Sequence, residues 1–207
     1  MREGEEKKSC VRTILGIDPG TNLMGYGVIR VEKNKPSLVV MGVLDLRKYA
    51  DPYIKLQKIF TRTLSLIDEY KPEELAIESQ FFGKNVQSML KLGRAQGVAI
   101  AAAAYRNLSI HEYAPLKIKM SLTGNGMASK EQIAEMVRKL LKVQKEEMST
   151  FFDATDGVAA AICHFFQSRN TIQEKKFNSW TDFVAQNKSK VSRPARTAKT
   201  VKTDNSQ

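Results

Sequence analysis

The sequence predicts an α/β fold in which helices flank a mixed five-stranded sheet. The first observation is a run of three strand-like segments near the N-terminus, joined by short turns. The second is a later alternation of short apolar segments with longer stretches whose apolar residues recur at helical spacing. Hairpin strands followed by strand–helix units are typical of a mixed sheet with helices on its faces.

The N-terminal strands are predicted from apolar segments bounded by turn residues. The first is apolar until Asp18 and stops at Pro19-Gly20, which breaks regular structure. Asn34 and Lys35 separate the second and third, so we expect a hairpin turn there. The three predicted strands are 12–18, 24–33 and 36–46.

The rest of the chain alternates helices with two further strands. The apolar spacing changes to that of a helix after Pro52, and Lys71-Pro72 ends this first helix. Ser129 is a typical N-cap for a later helix. The predicted helices are 52–70, 86–106, a short one after Pro115, one from Ser129 to about Lys142, and one from about 149 to 168, and the two strands are 74–78 and 109–113.

Both ends of the chain are predicted to be disordered. Residues 1–11 are polar, and residues 170–207 are a polar tail with eight basic and three acidic side chains. In this tail Phe177, Trp180 and Phe183 are spaced by three and could form a short docking turn. The domain is therefore expected to span 12–169. The whole chain has a net charge of +11, which favours a polyanionic partner such as nucleic acid.

Composition argues against membrane and secreted classes. The sequence contains no apolar run of about 18 residues and no signal-peptide core, so a cytoplasmic protein without a membrane partner is expected. The two cysteines, Cys10 and Cys163, have no zinc-ligand spacing and predict no disulfide framework.

Four carboxylates lie at the ends of predicted elements and are the candidate chemical groups. Asp18 and Glu78 each close an apolar strand, where burial of a charge without a partner is costly. Asp153 and Asp156 are three residues apart and share one face of the last helix. Each one alone has an ordinary explanation, as a helix cap or a turn residue. Converging anions, however, repel each other unless a cation holds them.

All-oxygen ligands without a His or Cys set favour Mg²⁺, with Mn²⁺ as a substitute. Two such ions per site can activate a water molecule and stabilise the leaving oxygen in phosphodiester hydrolysis. The four acids therefore predict a metal-dependent nuclease site.

Five segments resemble the RuvC crossover junction endodeoxyribonucleases, the family of Holliday junction resolvases. The resemblance spans about residues 13–168, with the segments in the family's order and spacing. The segments are Ile-Leu-Gly-Ile-Asp-Pro-Gly-Thr at 14–21, Gly-Tyr-Gly-Val-Ile at 25–29, Ala-Ile-Glu-Ser-Gln-Phe-Phe-Gly-Lys-Asn at 76–85, Leu-Lys-Leu-Gly-Arg-Ala-Gln-Gly-Val-Ala at 90–99 and Asp-Ala-Thr-Asp-Gly-Val-Ala-Ala-Ala at 153–161.

The resemblance implies an RNase H-like fold and a homodimer that cuts four-way junction DNA by paired symmetric nicks in recombination and repair. It assigns the catalytic, metal-binding roles to Asp18, Glu78, Asp153 and Asp156, and it suggests a branch-migration helicase complex as a partner. One departure is Gly157, where many relatives carry alanine; a glycine slightly loosens a helix. The tail from 170 onward is long for the family.

DNA contacts are expected in two places. The family's junction-probing aromatic falls on Phe81, beside Phe82 and Lys84, and aromatics in a polar loop can stack on unpaired bases. One of the two rings could instead pack beneath the loop. The family's basic residues near the scissile phosphate fall on Lys119 and Lys130, each of which alone would read as a solvated surface charge.

Other assignments stay open or are less favoured. Gly93, Gly97 and Ala101 allow close helix packing, either within the chain or between subunits, and structural roles are expected for His111 and His164. An RNase H-like RNA-processing nuclease is the runner-up function. An actin-like ATPase would need a second glycine-rich Asp loop and a longer chain, and a mere branched-DNA binding module would gain nothing from four anions beside phosphates.

Overall fold

Five strands form one mixed sheet in a computed structural model of the chain, which describes residues 11–80, 85–144 and 152–173, the last four without their side chains. The strands lie in the order β3-β2-β1-β4-β5; β1 pairs antiparallel with β2 and parallel with β4. The predicted mixed sheet is thereby confirmed. The strands are β1 (Arg12–Asp18), β2 (Leu23–Glu32), β3 (Lys35–Asp45), β4 (Glu74–Glu78) and β5 (Ser109–Tyr113).

The hairpin between β2 and β3 turns one residue earlier than predicted. Its two turn residues are Lys33 and Asn34, with φ of 47° and 66°, while Lys35 already pairs with Glu32. Two central residues with positive φ are the mark of a type I′ turn, whose twist matches that of the strands. The predicted turn at Asn34 and Lys35 is therefore wrong by one position, and the strand bounds shift with it.

Among the described residues, five helices cover the two faces of the sheet, and all five were predicted. The last helix extends to Gln173, so residues 170–173, which were assigned to the disordered tail, are helical. Its predicted first turn at 149–151 and the tail beyond 173 lie outside the described residues, as do 1–10. The helices are α1 (Pro52–Tyr70), α2 (Val86–Tyr105), α3 (Pro115–Thr123), α4 (Lys130–Leu141) and α5 (Phe152–Gln173).

Two cores lie on opposite faces of the sheet, because side chains alternate along each strand. Leu15, Ile17, Leu75 and Ile77 pack with α1 and α2 in one core. Ile14 and Ala76, the alternate positions of the same strands, pack with α3, α4 and α5 in the other. By the same alternation, Asp18 and Glu78 belong to the face covered by α5.

Glycines allow α5 to lie directly against the strands. A Cβ added at Gly25 would collide with the backbone oxygen of Asp153, and one added at Gly157 would lie 2.6 Å from the Cα of Tyr26. Gly157 was interpreted as loosening the helix. In the structure it instead permits this close contact, which brings the start of α5 to the start of β2.

The chain divides into two units, residues 1–170 and 171–207, and the sheet with both cores belongs to the first. Within the described residues, no helix combines the length and apolar character needed to cross a membrane.

Candidate active site

Asp18 and Glu78 lie at the ends of neighbouring parallel strands. The pairing of Ile17 with Ile77 places the residues that follow them, Asp18 and Glu78, side by side at the same edge of the sheet. The sequence analysis anticipated this adjacency from two apolar strands that each end in an acid. In open α/β sheets, sites assemble at the carboxyl ends of the strands, which is where these two acids stand.

The first turns of α5 bring two further acids to this edge. Asp18, Asp153 and Asp156 each offer a carboxylate oxygen, and these three oxygens lie within 4.8 Å of one another. Glu78 joins Asp18 and Asp156 in lining a cavity of about 270 Å³. All four predicted acids therefore meet at one place, although they come from three distant stretches of the chain.

Lys119 and Lys130 line the same cavity. The ammonium of Lys130 lies 3.4 Å from Oδ1 of Asp153 and 3.1 Å from Oδ2 of Asp156. Lys130 is the first residue of α4, whose start is fixed by reciprocal hydrogen bonds between Ser129 and Gln132. The capping box thus fixes the start of α4, from which Lys130 contacts the two acids. Ser129 was predicted as the N-cap of this helix.

Crowding and burial change the acidity of the carboxyl groups. Burial, then the charges of Glu78 and Asp156, raise the pKa of Asp18 well above its usual value. Burial and Asp156 raise the pKa of Glu78 to about 7, against the opposing effect of Lys130 and Lys119. Burial also raises the pKa of Asp156, although Lys130 opposes it. The two lysines only partly offset the mutual repulsion of the acids.

This arrangement fits divalent metal ions bound through oxygen. The donors at this edge of the sheet are carboxylates, the ligands preferred by Mg²⁺ and Mn²⁺. A divalent cation would stabilise the ionised form of groups that now carry raised pKa values, whereas a lysine contributes only one charge.

Arg47 is a nearby basic residue that the sequence analysis missed. Its guanidinium makes two hydrogen bonds to the carboxylate of Asp45, at 3.0 and 2.7 Å. These bonds raise the pKa of Arg47, with a smaller contribution from Asp153, which places Arg47 within electrostatic range of the acids. A single arginine after a strand carries no sequence signal that separates it from other surface charges.

Phe81, Phe82 and Lys84, the other predicted DNA contacts, lie outside the described residues. The next residue that the structure describes, Asn85, caps α2 by accepting a hydrogen bond from the backbone of Ser88. The predicted loop therefore joins the strand that carries Glu78 to the start of a capped helix.

A family model and a curated relative give the same family name. The family described as "Crossover junction endodeoxyribonuclease RuvC" matches residues 14–164. A relative with that name from Bacteroides fragilis is 59% identical over 180 residues, which cover 87% of this chain and 96% of the relative.

Two solved structures have the same fold. The structure of Thermus thermophilus RuvC aligns with a TM-score of 0.69 and 31% identity, over 77% of this chain and 96% of that one. The structure of T. thermophilus RuvC in complex with Holliday junction substrate gives a TM-score of 0.68 and 29% identity, over 76% and 96%.

Proposed function

Because the chain belongs to the family of RuvC crossover junction endodeoxyribonucleases, we propose that its four clustered acids catalyse the resolution of Holliday junctions. The chain is a structure-selective DNA endonuclease of recombination and repair. The convergence of Asp18, Glu78, Asp153 and Asp156 at one sheet edge supports this assignment of the catalytic groups. Four anions beside a DNA backbone would oppose binding, so their presence is explained by metal-dependent hydrolysis.

The acids would hold two Mg²⁺ ions, with Mn²⁺ as a substitute. When bound, such ions supply a nucleophilic water at neutral pH and stabilise the oxygen that leaves the phosphorus. Asp18 and Glu78 are fixed by the sheet, and Asp153 and Asp156 by the helix packed against it, so the ligands are held on rigid elements. Such preorganisation limits the reorganisation needed when the scissile phosphate arrives.

The two lysines of the cavity fit contact with the scissile phosphate. Lys130 is 57% exposed at its side chain, which leaves its ammonium accessible to DNA as well as to the acids. Metal ions at the acids would compete with Lys130 for Asp153 and Asp156, and a phosphate would then be its natural partner. Lys119 adds a second positive charge on the same cavity wall.

A substrate panel tests this function. With Mg²⁺ present, the protein is expected to nick a four-way DNA junction at symmetric positions while leaving duplex DNA, an RNA–DNA hybrid and ATP unchanged. Preferential cleavage of the hybrid would instead support an RNA-processing nuclease. Hydrolysis of ATP without nicking would support the ATPase alternative.

Residues 81–84, predicted from the sequence to form a loop, are proposed to probe the junction. We expect Phe81→Ala to impair cleavage of an intact junction more than cleavage of a junction with unpaired bases at its centre. Stacking on Phe81 would stabilise bases once they are unpaired. A junction whose central bases are already unpaired needs less of this stabilisation. Phe82→Ala is the matched comparison, since the resemblance assigns the role to Phe81. Equal losses on both substrates would remove the stacking role. Lys84 is proposed as a phosphate contact in the same loop.

A homodimer is proposed to deliver the paired nicks, and the outer side of α2 suits its interface. An added Cβ at Gly93 or Gly97 would meet no atom within 4 Å, and Leu90 on the same helix is 53% exposed. The small residues therefore face away from the chain's own core, where they permit close approach of a second helix. A branch-migration helicase remains an expectation drawn from the family resemblance.

Substitution of Gly97 by arginine tests this interface. The monomer has room for the new side chain, so we expect Gly97→Arg to fold normally but to shift the mass in solution from dimer to monomer. Light scattering after size-exclusion chromatography measures the mass, and thermal unfolding checks the fold. Ser65→Arg, at an exposed position of α1, is the control. A dimer that survives Gly97→Arg unchanged would place the interface elsewhere.

A further inference from the structure

A second cluster of possible metal ligands lies at the opposite end of the sheet. Glu74 is the first residue of β4, and His111 lies in the neighbouring strand β5. His164 lies in α5. One ligand atom from each residue lies within 4.8 Å of the others. Glu74 and the catalytic-site residue Glu78 are separated by the length of β4, which is about 13 Å at 3.3 Å per residue.

His164 is the buried member of this cluster. It is 2% exposed, and its Nε2 faces Oε2 of Glu74 without a well-aligned hydrogen bond to any of the described residues. Its other ring nitrogen, Nδ1, lies 2.7 Å from the hydroxyl of Tyr113. In metal sites, a ligating histidine typically has its second nitrogen held by such a hydrogen bond, which fixes the ring and leaves the first nitrogen free to bind.

The spacing of the ligands is close to that of a tetrahedral site. Nε2 of His164 lies 3.3 Å from Oε2 of Glu74. Bonds of about 2.1 Å in a tetrahedron separate two ligand atoms by about 3.4 Å. His111 stacks on His164 with ring centroids 4.1 Å apart, so its ring must tilt to aim a nitrogen at the same ion. His111 lies on an edge strand and is half-buried.

Arg12 is the group that opposes a cation here. Its guanidinium lies 3.5 Å from Oε2 of Glu74 and donates a hydrogen bond of 2.6 Å to Oγ of Ser168. The anchor at Ser168 holds the positive charge beside the cluster. Arg12 therefore weakens metal binding through its charge.

We propose that Glu74, His111 and His164 bind one divalent transition-metal ion of the Zn²⁺ class, separately from the catalytic acids. Two imidazoles and one carboxylate select Zn²⁺, Co²⁺ or Ni²⁺ over Mg²⁺, which prefers all-oxygen sites. Solvent supplies the fourth ligand. The ion cross-links β4, β5 and α5, and therefore strengthens the contact that positions Asp153 and Asp156.

Titration of the untagged, full-length protein with Co²⁺ in the absence of DNA tests this site. Tetrahedral Co²⁺ absorbs strongly in the visible, whereas six-coordinate Co²⁺ bound through oxygen at the catalytic acids absorbs weakly. We expect one equivalent of the strongly absorbing species, its loss in His111→Ala, and its retention in Asp18→Asn. Glu112→Gln, one residue from His111 on the other face of β5, is the matched control and keeps the spectrum.

Arg12→Gln should change Co²⁺ affinity in the direction opposite to His111→Ala. Removal of the competing charge is expected to tighten Co²⁺ binding about tenfold, an effect that a purely structural hydrogen-bond network would not produce. The absence of a strong band in the wild-type protein would overturn the proposal, as would a band that persists in His111→Ala. Because these measurements use neither junctions nor Mg²⁺, their failure leaves the nuclease assignment unaffected.

Discussion

Asp18→Asn is expected to lower junction cleavage by at least about 10³-fold, which corresponds to about 4 kcal/mol of transition-state stabilisation. Asn keeps the size of the side chain but removes the negative charge that a divalent ion requires. Asp18 stands within reach of both acids of α5, so its loss should disrupt the metal site more than the loss of a peripheral ligand. Binding to the junction should persist, because one anion near the DNA is removed and no cation is lost.

The same substitution should make the metal-free protein more stable. The pKa of Asp18 is raised because burial and repulsion from Glu78 and Asp156 disfavour its negative charge. A neutral amide carries no such charge and avoids this cost. Nicking of a four-way junction, binding of the same junction and thermal unfolding without Mg²⁺ measure the three effects. Asp68→Asn, which removes an exposed carboxylate of α1 paired with Arg106, is the control. Unchanged cleavage by Asp18→Asn would reject its catalytic role.

Gly25→Ala is expected to damage both stability and cleavage, although it alters no charged group. The added methyl group would collide with the backbone oxygen of Asp153, and a backbone atom cannot move aside as a flexible side chain can. Overpacking of this kind costs about 1–3 kcal/mol. Since α5 must shift to relieve it, Asp153 and Asp156 would move away from Asp18, and cleavage should fall more than the loss of folded protein explains.

Gly126→Ala separates this effect from a general cost of replacing glycine. Its new methyl group would meet the end of the Leu116 side chain, which is 61% exposed and free to turn away. Thermal unfolding and junction nicking by the folded fraction compare the two variants. If Gly25→Ala retained the cleavage rate of Gly126→Ala, the proposed dependence of the acids on the contact between α5 and β2 would be contradicted.

The sequence indicated that the four acids could converge, because strand ends and helix spacing are local features. Asp18 and Glu78 each end an apolar strand, and their shared face follows from the two-residue repeat of a strand once the strands are neighbours. Asp153 and Asp156 share a helical face because they are three residues apart. The family resemblance then identified the four acids as one set, which spacing alone left as a possibility.

Other features depended on contacts between distant segments and were not predictable in this way. The hairpin turn at Lys33 and Asn34 is set by the pairing of β2 with β3, not by the turn residues alone. Gly157 looks like a weak helix residue until its contact with Tyr26 is known. His111 and His164 are 53 residues apart in the numbering of the chain, and only the packing of α5 on β5 stacks their rings.

The position of bound Mn²⁺ in a crystal of the protein most directly tests the central claim that four acids from three segments bind catalytic metal ions. Anomalous scattering locates Mn²⁺ independently of the coordinates. We predict peaks among the carboxylates of Asp18, Glu78, Asp153 and Asp156, and their loss in crystals of Asp18→Asn. Mn²⁺ bound elsewhere, in crystals of a protein that cuts junctions with Mn²⁺ in solution, would contradict the account.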